Sequence, residues 1–543
     1  MNDFKKLPDI PSQEQTPLTQ ELIQMVLDLQ ENVRDLHDEI LRLKGLKGRP
    51  KIKASKMDSS TSPSEDGDGK DAGEVGSVET DGTEKKDGRK NPSKPQKSKT
   101  ATLPIHETKK VGVDAPSDAE FKGYKEFVVQ DLIIQSHNTR YLLEQWETET
   151  GKYVIAKPPA ELMGGHFGPT LISFSIDQYF GQRVTQPLLL EQLKCMNVEI
   201  SYGQLSRILT SSKYGFHEEK DAILQAGIES SNYLQTDDTG ARHAGKNGYC
   251  TFVGNELFSW FKSTESKSRV NFLELLRGAN PDYAINAGAL EYMADHKLPQ
   301  LFLKALDVDQ RFSDKESWEE FLEQKGIKSS RHKKIATEGA LMGSLLASAF
   351  PVGMTIMSDD AGQFNVFNHA LCWIHAERGI VKLNPIHEDR KKAVEWARTQ
   401  IWDLYADLKI YKLAPDQNKE LAKDVRGRFD ELCATTTCYP DLNKALKRLH
   451  RNKNELLLVL DKPWLPLHNN LSESDIREYV QKRKISGGTR SEDGRRCRDT
   501  FASLKKTCRK HRISFWEFLK DRIGKLNRIP FLPDVIRSAA CAA

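Results

Sequence analysis

Cysteine is scarce in this chain: eight residues in 543, none of them before Cys195. So sparse a set builds no disulfide framework, which points to a reducing cytoplasm. The opening MNDFKKLPDIPSQEQ has no apolar core of the kind a secretory signal needs. Long apolar runs are missing too, with one exception. Gly339–Met357 is nineteen residues without a charge, about the length that spans a bilayer. Pro351 and several small polar residues break it, so it reads as an apolar helix ending near Ala349 and a strand over Gly353–Met357, with no membrane contact expected. Aromatics almost vanish before residue 119. The net charge is only +4, so any nucleic-acid affinity must come from where charge is concentrated.

Charge concentrates in two places. Gly45–Lys56 has five basic and no acidic residues, and Lys482–Lys510 has eleven basic against three acidic. After a polar tail (1–17), residues 18–44 are periodic: Leu22, Leu29, Leu36 and Leu43 share one heptad position, and Val26, Val33 and Ile40 the position four later. That pattern favours a parallel two-stranded coiled coil, hence a dimer. Residues 45–118 are rich in Lys, Ser, Gly, Asp, Glu and Pro and cannot bury enough surface to fold, so they read as a charged linker. Within it, Arg49 in Gly48-Arg49-Pro50-Lys51 suits a narrow DNA minor groove.

From 119 to 180 the sequence reads as a small β-rich module, with a hairpin around Thr150-Gly151. Residues 181–230 read as helical: Thr185–Cys195, then a helix opened by Ser201 and Gln204 as a capping box, together resembling a helix-turn-helix. Three strands follow, Asn232–Thr239, Gly248–Asn255 and Leu257–Thr264, in a first core segment (231–276). Residues 277–335 look like an insertion of polar helices. The second core segment (336–385) holds the apolar helix, the strand ending at Asp359-Asp360 and a further strand over His369–His375. Residues 386–460 read as an all-helical insertion: Val394, Ala397, Ile401, Leu404 and Leu408 keep helix spacing, as do Leu442, Leu446 and Leu449. A helix over 461–485 carries Glu473, and 486–543 reads as a basic helical region.

Asp237-Asp238 and Asp359-Asp360 each end a strand, and Glu473 opens a helix. An antiparallel meander with an acidic residue on its first strand is how an α/β RNase H-like core opens, and the three acidic places are expected to meet. Two Mg²⁺ ions about 4 Å apart, for which Mn²⁺ can substitute, could then serve phosphodiester cleavage and transfer. Such hard cations take oxygen ligands, so a few carboxylates suffice. Neighbouring strand residues face opposite ways, so one Asp of each pair serves, with Asp238 and Asp360 as alternates. Sequence alone does not choose between them.

Three motifs sharpen this reading: Asp237-Asp238-Thr239; Asp359, Ala361-Gly362, Phe364, Cys372-Trp373 and His375; and Asn469-Asn470-Leu471-Ser472-Glu473 with Arg477. On them, residues 120–525 resemble transposases of the insertion-sequence sixty-six family, with a DDE-type RNase H-like core. Asp238 stands where the family has Glu. The resemblance implies Asp237, Asp359 and Glu473 as catalytic metal ligands, with Asn469 and Asn470 in support. It implies cleavage at the ends of a mobile element and strand transfer of the 3′ hydroxyl into target DNA. Expected partners are double-stranded DNA (terminal inverted repeats and target), a second copy of the chain, and accessory proteins of the same element; the setting is the bacterial nucleoid. Arg477, one turn after Glu473, could pair with it or contact a phosphate, and Lys482, Arg483, Lys484 and Arg490 could follow DNA backbone. Many relatives carry a cysteine-paired zinc segment ahead of the core; none is expected here, and Cys372 with His375 reads as a buried structural pair. The alternative is a non-catalytic DNA-binding protein derived from a transposase.

Overall fold

The computed structural model describes residues 104–542, apart from 115, 117, 160–161, 163–164, 279–281, 349, 352 and 415–417. The expected coiled coil, most of the expected linker and Arg49 lie outside the described residues. The chain divides into two units, Met1–Val128 and Val129–Ala543. The described part of the first is exposed chain without helix or strand.

The second unit opens with the hairpin read from the sequence: β1 (Gln145–Glu147) pairs antiparallel with β2 (Tyr153–Ile155), and Gly151 takes the positive φ of +72° that the turn requires. The β-rich reading to residue 180 fails after that. Gly168-Pro169 starts helix α1 (Pro169–Ile176), Pro fitting the first turn where no amide partner is lost, and a π turn carries it to Gly181. Helices α2 (Gln186–Cys195), α3 (Tyr202–Thr210) and α4 (Tyr214–Glu229) follow. The capping box forms as expected: Gln204 N–H donates to Ser201 Oγ at 3.2 Å, and Ser201 N–H to Gln204 Oε1 at 2.8 Å.

Next come β3 (Tyr233–Gly240), β4 (Tyr249–Gly254), β5 (Ser259–Thr264) and α5 (Arg269–Arg277). Residues 277–335 are more than polar helices. β6 (Tyr283–Ile285) pairs with β7 (Gln310–Phe312), around α6 (Ala287–Asp295) and α7 (Gln300–Ala305), and α8 (Lys315–Gln324) follows. Tyr283, Ile285, Met293 and Trp318 are buried in the same core as the main sheet. Helix α9 (Ser330–Leu346) and β8 (Thr355–Ser358) divide the charge-free stretch into helix and strand, and no helix among the described residues is long and apolar enough to cross a membrane. β9 (Asn368–Leu371) is shorter than expected: the chain turns at Cys372 into α10 (Trp373–Val381), so His375 lies on a helix.

The insertion over 386–460 is helical as read: α11 (Glu388–Leu413), α12 (Lys419–Ala434), α13 (Pro440–Arg451) and the short α14 (Lys453–Leu456), with an apolar core that also takes in Leu371, Trp373, Ile380 and Leu467. Helices α15 (Asn470–Ser486), α16 (Glu492–Lys510), α17 (Phe515–Ile523) and α18 (Leu532–Ala542) complete the chain. The central sheet runs β5-β4-β3-β8-β9, antiparallel across β3, β4 and β5 and parallel across β3, β8 and β9. Helix α4 comes so close to the β4–β5 turn that a Cβ on Gly227 would lie 2.4 Å from the Phe258 ring.

Helix α16 is not a free basic surface. Its Thr507 Oγ1, Ser503 Oγ and Asp499 Oδ2 accept from the outward amides of Ser259, Phe261 and Ser263 at 3.2, 2.9 and 2.7 Å. The match is geometric, since four helix residues rise about 6 Å and two strand residues about 6.6 Å. The edge of β5 is thereby closed, and buried Lys506 and half-buried Lys510 both pair with Asp475. Asp499 also accepts from Ser263 Oγ and Tyr479 Oη. Asp499→Ala should leave these donors unmet and lower unfolding free energy by about 3 kcal/mol, read by denaturant melts; a loss under about 1 kcal/mol would show the edge is not held this way.

Candidate active site

Asp237 is where β3 leaves the core: Leu234, Gln235 and Thr236 before it are buried, and it is partly exposed. β8 is buried throughout, and Asp359 follows its last residue. The strands run parallel with Gln235 opposite Met357, so two further residues set Asp237 beside Asp359. Their neighbours in sequence turn elsewhere. Asp238 Oδ2 accepts from Gln363 Nε2 at 2.6 Å, and exposed Asp360 pairs at 2.5 Å with Arg448 of the helical insertion.

Glu473 comes from the first turn of α15, which is pinned to this corner of the sheet. Asn469 Nδ2 donates to the Thr236 carbonyl at 2.9 Å and the Ser472 amide to Gln235 Oε1 at 3.3 Å. The Asn469 amide donates to Cys372 Sγ at 3.2 Å, and the Trp373 amide to the Leu467 carbonyl at 3.0 Å. Cys372 thus has a buried structural role at the start of α10. The Glu473 carboxylate meets Arg378 of that helix in a fork, at 3.2 and 3.5 Å, and His375 Nε2 at 3.4 Å.

The electrostatics follow from the crowding. Asp237 is pushed up to about 7, first by burial and then, against the Asp238 amide bond it accepts, by the charges of Asp359, Asp238 and Glu473. His375 is pushed down by burial, against the Glu473 charge. The donor set is all carboxylate oxygen, which a hard divalent cation takes. Thr236 Oγ1, Asn469 Oδ1 and His375 Nδ1 are buried around it without hydrogen-bond partners. The carboxylates suit a divalent cation in kind and in charge. In spacing they fall short: among the described residues no three His, Cys, Asp or Glu side chains form a group that could hold a metal ion. Glu473 is turned toward Arg378 instead.

The flanking residues divide. Asn469 is buried and Asn470 exposed at the head of α15. The ion pair between Arg477 and Glu473 does not form; Arg477 looks outward while Glu473 faces α10. Lys482 is a correction: it is buried, donates to the Tyr179 carbonyl at 2.6 Å and sits 3.5 Å over the Tyr179 ring, so it cannot follow DNA backbone. Burial pushes it down to about 7. Arg483 reaches Thr239 Oγ1 at 3.2 Å, and Lys484 and Arg490 are exposed. Arg378 and Gln363 had not been singled out. Arg378 stands three residues after His375, a helix spacing hidden while the segment read as a strand.

Residues 327–496 match the model of the Transposase IS66 family. That span holds Asp359, His375 and Glu473, and starts after Asp237. Over 306 residues the chain is also 44% identical to an uncharacterised protein, y4jO, of Sinorhizobium fredii (strain NBRC 101917 / NGR234), covering 56% of this chain and 95% of that protein.

A carboxylate whose pKa rises on folding from 3.8 to about 7 weakens the fold progressively as pH climbs between those two values, fully above about 7, and is neutral to it below 3.8. Asp237→Asn should therefore raise the metal-free Tm by a few degrees above pH 7 and leave it unchanged below pH 4. Equal shifts at both ends of the range would show that crowding of charge at Asp237 is absent.

Proposed function

Because this chain belongs to the Transposase IS66 family, we propose that it is a DDE transposase, cutting DNA at the ends of its element and joining the freed 3′ hydroxyl to target DNA. What supports this is the strand register that sets Asp237 beside Asp359, together with the bonds from Asn469 and Ser472 to Thr236 and Gln235 that bring the head of the Glu473 helix to the same end of β3. The sheet order, three antiparallel strands followed by two parallel ones, supports an RNase H-like core.

In this reading Asp237, Asp359 and Glu473 hold divalent cations, Mg²⁺ or Mn²⁺, while Asp238 and Asp360 stay with Gln363 and Arg448. When bound, such ions supply relief of charge at phosphorus and activation of the attacking oxygen. Asn469 and Ser472 fix the head of α15 and so the reach of Glu473, which must leave Arg378 to join the two aspartates. Arg483, Lys484 and Arg490 face DNA backbone, α2 and α3 act as a helix-turn-helix on the terminal repeats, and residues 18–44 pair two copies so that two element ends are held together.

A second reading, a DNA-binding protein that no longer cuts, is favoured by the Arg378–Glu473 fork and by the lack, among the described residues, of a metal-spaced trio. Incubating the full chain with duplex carrying the element's terminal repeats separates the two. Mg²⁺-dependent nicking is expected, falling about a thousandfold or more in Asp237→Asn, Asp359→Asn and Glu473→Gln and staying within about tenfold in Asp360→Asn. Binding without cutting in every divalent cation tried would favour the second reading, and unimpaired cutting by Glu473→Gln would remove that residue from the site.

A further inference from the structure

Beyond the acidic residues, β3 runs on to Gly240 and turns back into β4 through Ala241–Gly248. This turn is joined to the loop after α15. Ala244 N–H donates to the Thr489 carbonyl at 2.8 Å, Thr489 N–H to the Arg242 carbonyl at 3.0 Å, and His243 Nδ1 lies 2.9 Å from Thr489 Oγ1. The approach is tight: a Cβ on Gly488 would stand 2.7 Å from the Arg242 carbonyl oxygen. Two loops far apart in sequence thus form one ridge.

The ridge is cationic. Arg242, Lys246, Lys484 and Arg490 are exposed, and none forms an ion pair among the described residues. Arg242 makes only a bond to the Gly245 carbonyl, at 2.8 Å. Arg483 lies at its base on Thr239, and Lys267 at its flank over the Tyr249 ring at 5.4 Å. The facing acid, Glu492, is taken up by Arg495 at 2.7 Å and by His243 at 3.5 Å. Asp237 to Gly240 is three strand residues, about 10 Å, roughly three base-pair rises along the axis of a duplex.

We propose that the β3–β4 turn, through Arg242 and Lys246 and locked to Gly487–Arg490, is a phosphate-backbone contact for duplex DNA, holding it beside the carboxylates without regard to sequence. The ridge rests on the reading of DNA as substrate, but not on the carboxylates binding metal. Cations on paired loops suit this role because unpaired Lys and Arg release counterions from DNA, while a rigid ridge loses little side-chain freedom.

The test is fluorescence anisotropy of the full chain with terminal-repeat duplex and with unrelated duplex, over a salt series without divalent cation. The double variant Arg242→Gln/Lys246→Gln should bind both duplexes several-fold more weakly and lower the slope of log K against log salt by about two, one for each contact. Gly488→Ala, whose methyl displaces the turn, should give the same loss in a chain whose far-ultraviolet circular dichroism still shows it folded at the assay temperature. Unchanged slope and affinity in the double variant overturns the proposal, and so does a loss confined to the terminal repeat, which would mark base reading. Cutting keeps the two ideas apart: a full chain that binds both duplexes through the ridge yet nicks neither in any divalent cation loses the catalytic reading and keeps the ridge.

Discussion

One joint governs the arrangement of this molecule: the head of α15 fastened to β3 and to the start of α10. Asn469 serves both directions at once, its side chain on the Thr236 carbonyl and its amide on Cys372 Sγ. Because these bonds are buried, exchanging them for water is not open to the folded chain, and leaving any unmade carries a desolvation cost. A residue more than two hundred positions from β3 is thereby held at its end. The helical insertion between Asp360 and α15 packs its apolar core against Leu371, Trp373 and Leu467 and so backs this joint from behind.

The joint brings like charges together, and their compensation is unequal. Asp360 and Asp238 each have a side-chain partner of their own, whereas Asp237, among the described residues, accepts an amide from its neighbour and no more. Glu473 is neutralised from α10 and not from its own helix. The corner therefore stores electrostatic tension at Asp237 and relief at Glu473, an asymmetry that suits a site able to exchange an internal cation for an external one.

What could be read from the chain was what local chemistry decides. The Ser201–Gln204 box, the Thr150-Gly151 turn, the helix spacing of the insertion and the three-strand meander all depend on residues a few positions apart. The turn at Cys372 was missed because Ala370, Leu371, Cys372 and Trp373 are apolar and suit either a strand or a buried helix; what ends β9 is the bond from Trp373 to Leu467, ninety-four residues on. The burial of Lys482 was hidden for the same reason, since its partner Tyr179 lies some three hundred residues away. Residues 277–335 looked like an excursion because their charged faces dominate the composition, while Tyr283, Met293 and Trp318 carry the core contacts.

The helix laid along β5 has a consequence for assembly. Its hydroxyls and carboxylate occupy the amides that a neighbouring molecule would need in order to extend the sheet, so strand donation from another copy is closed on that flank. Any assembly of copies of this chain would therefore have to be built through elements other than the β5 edge, leaving the sheet register that aligns Asp237 with Asp359 unshared.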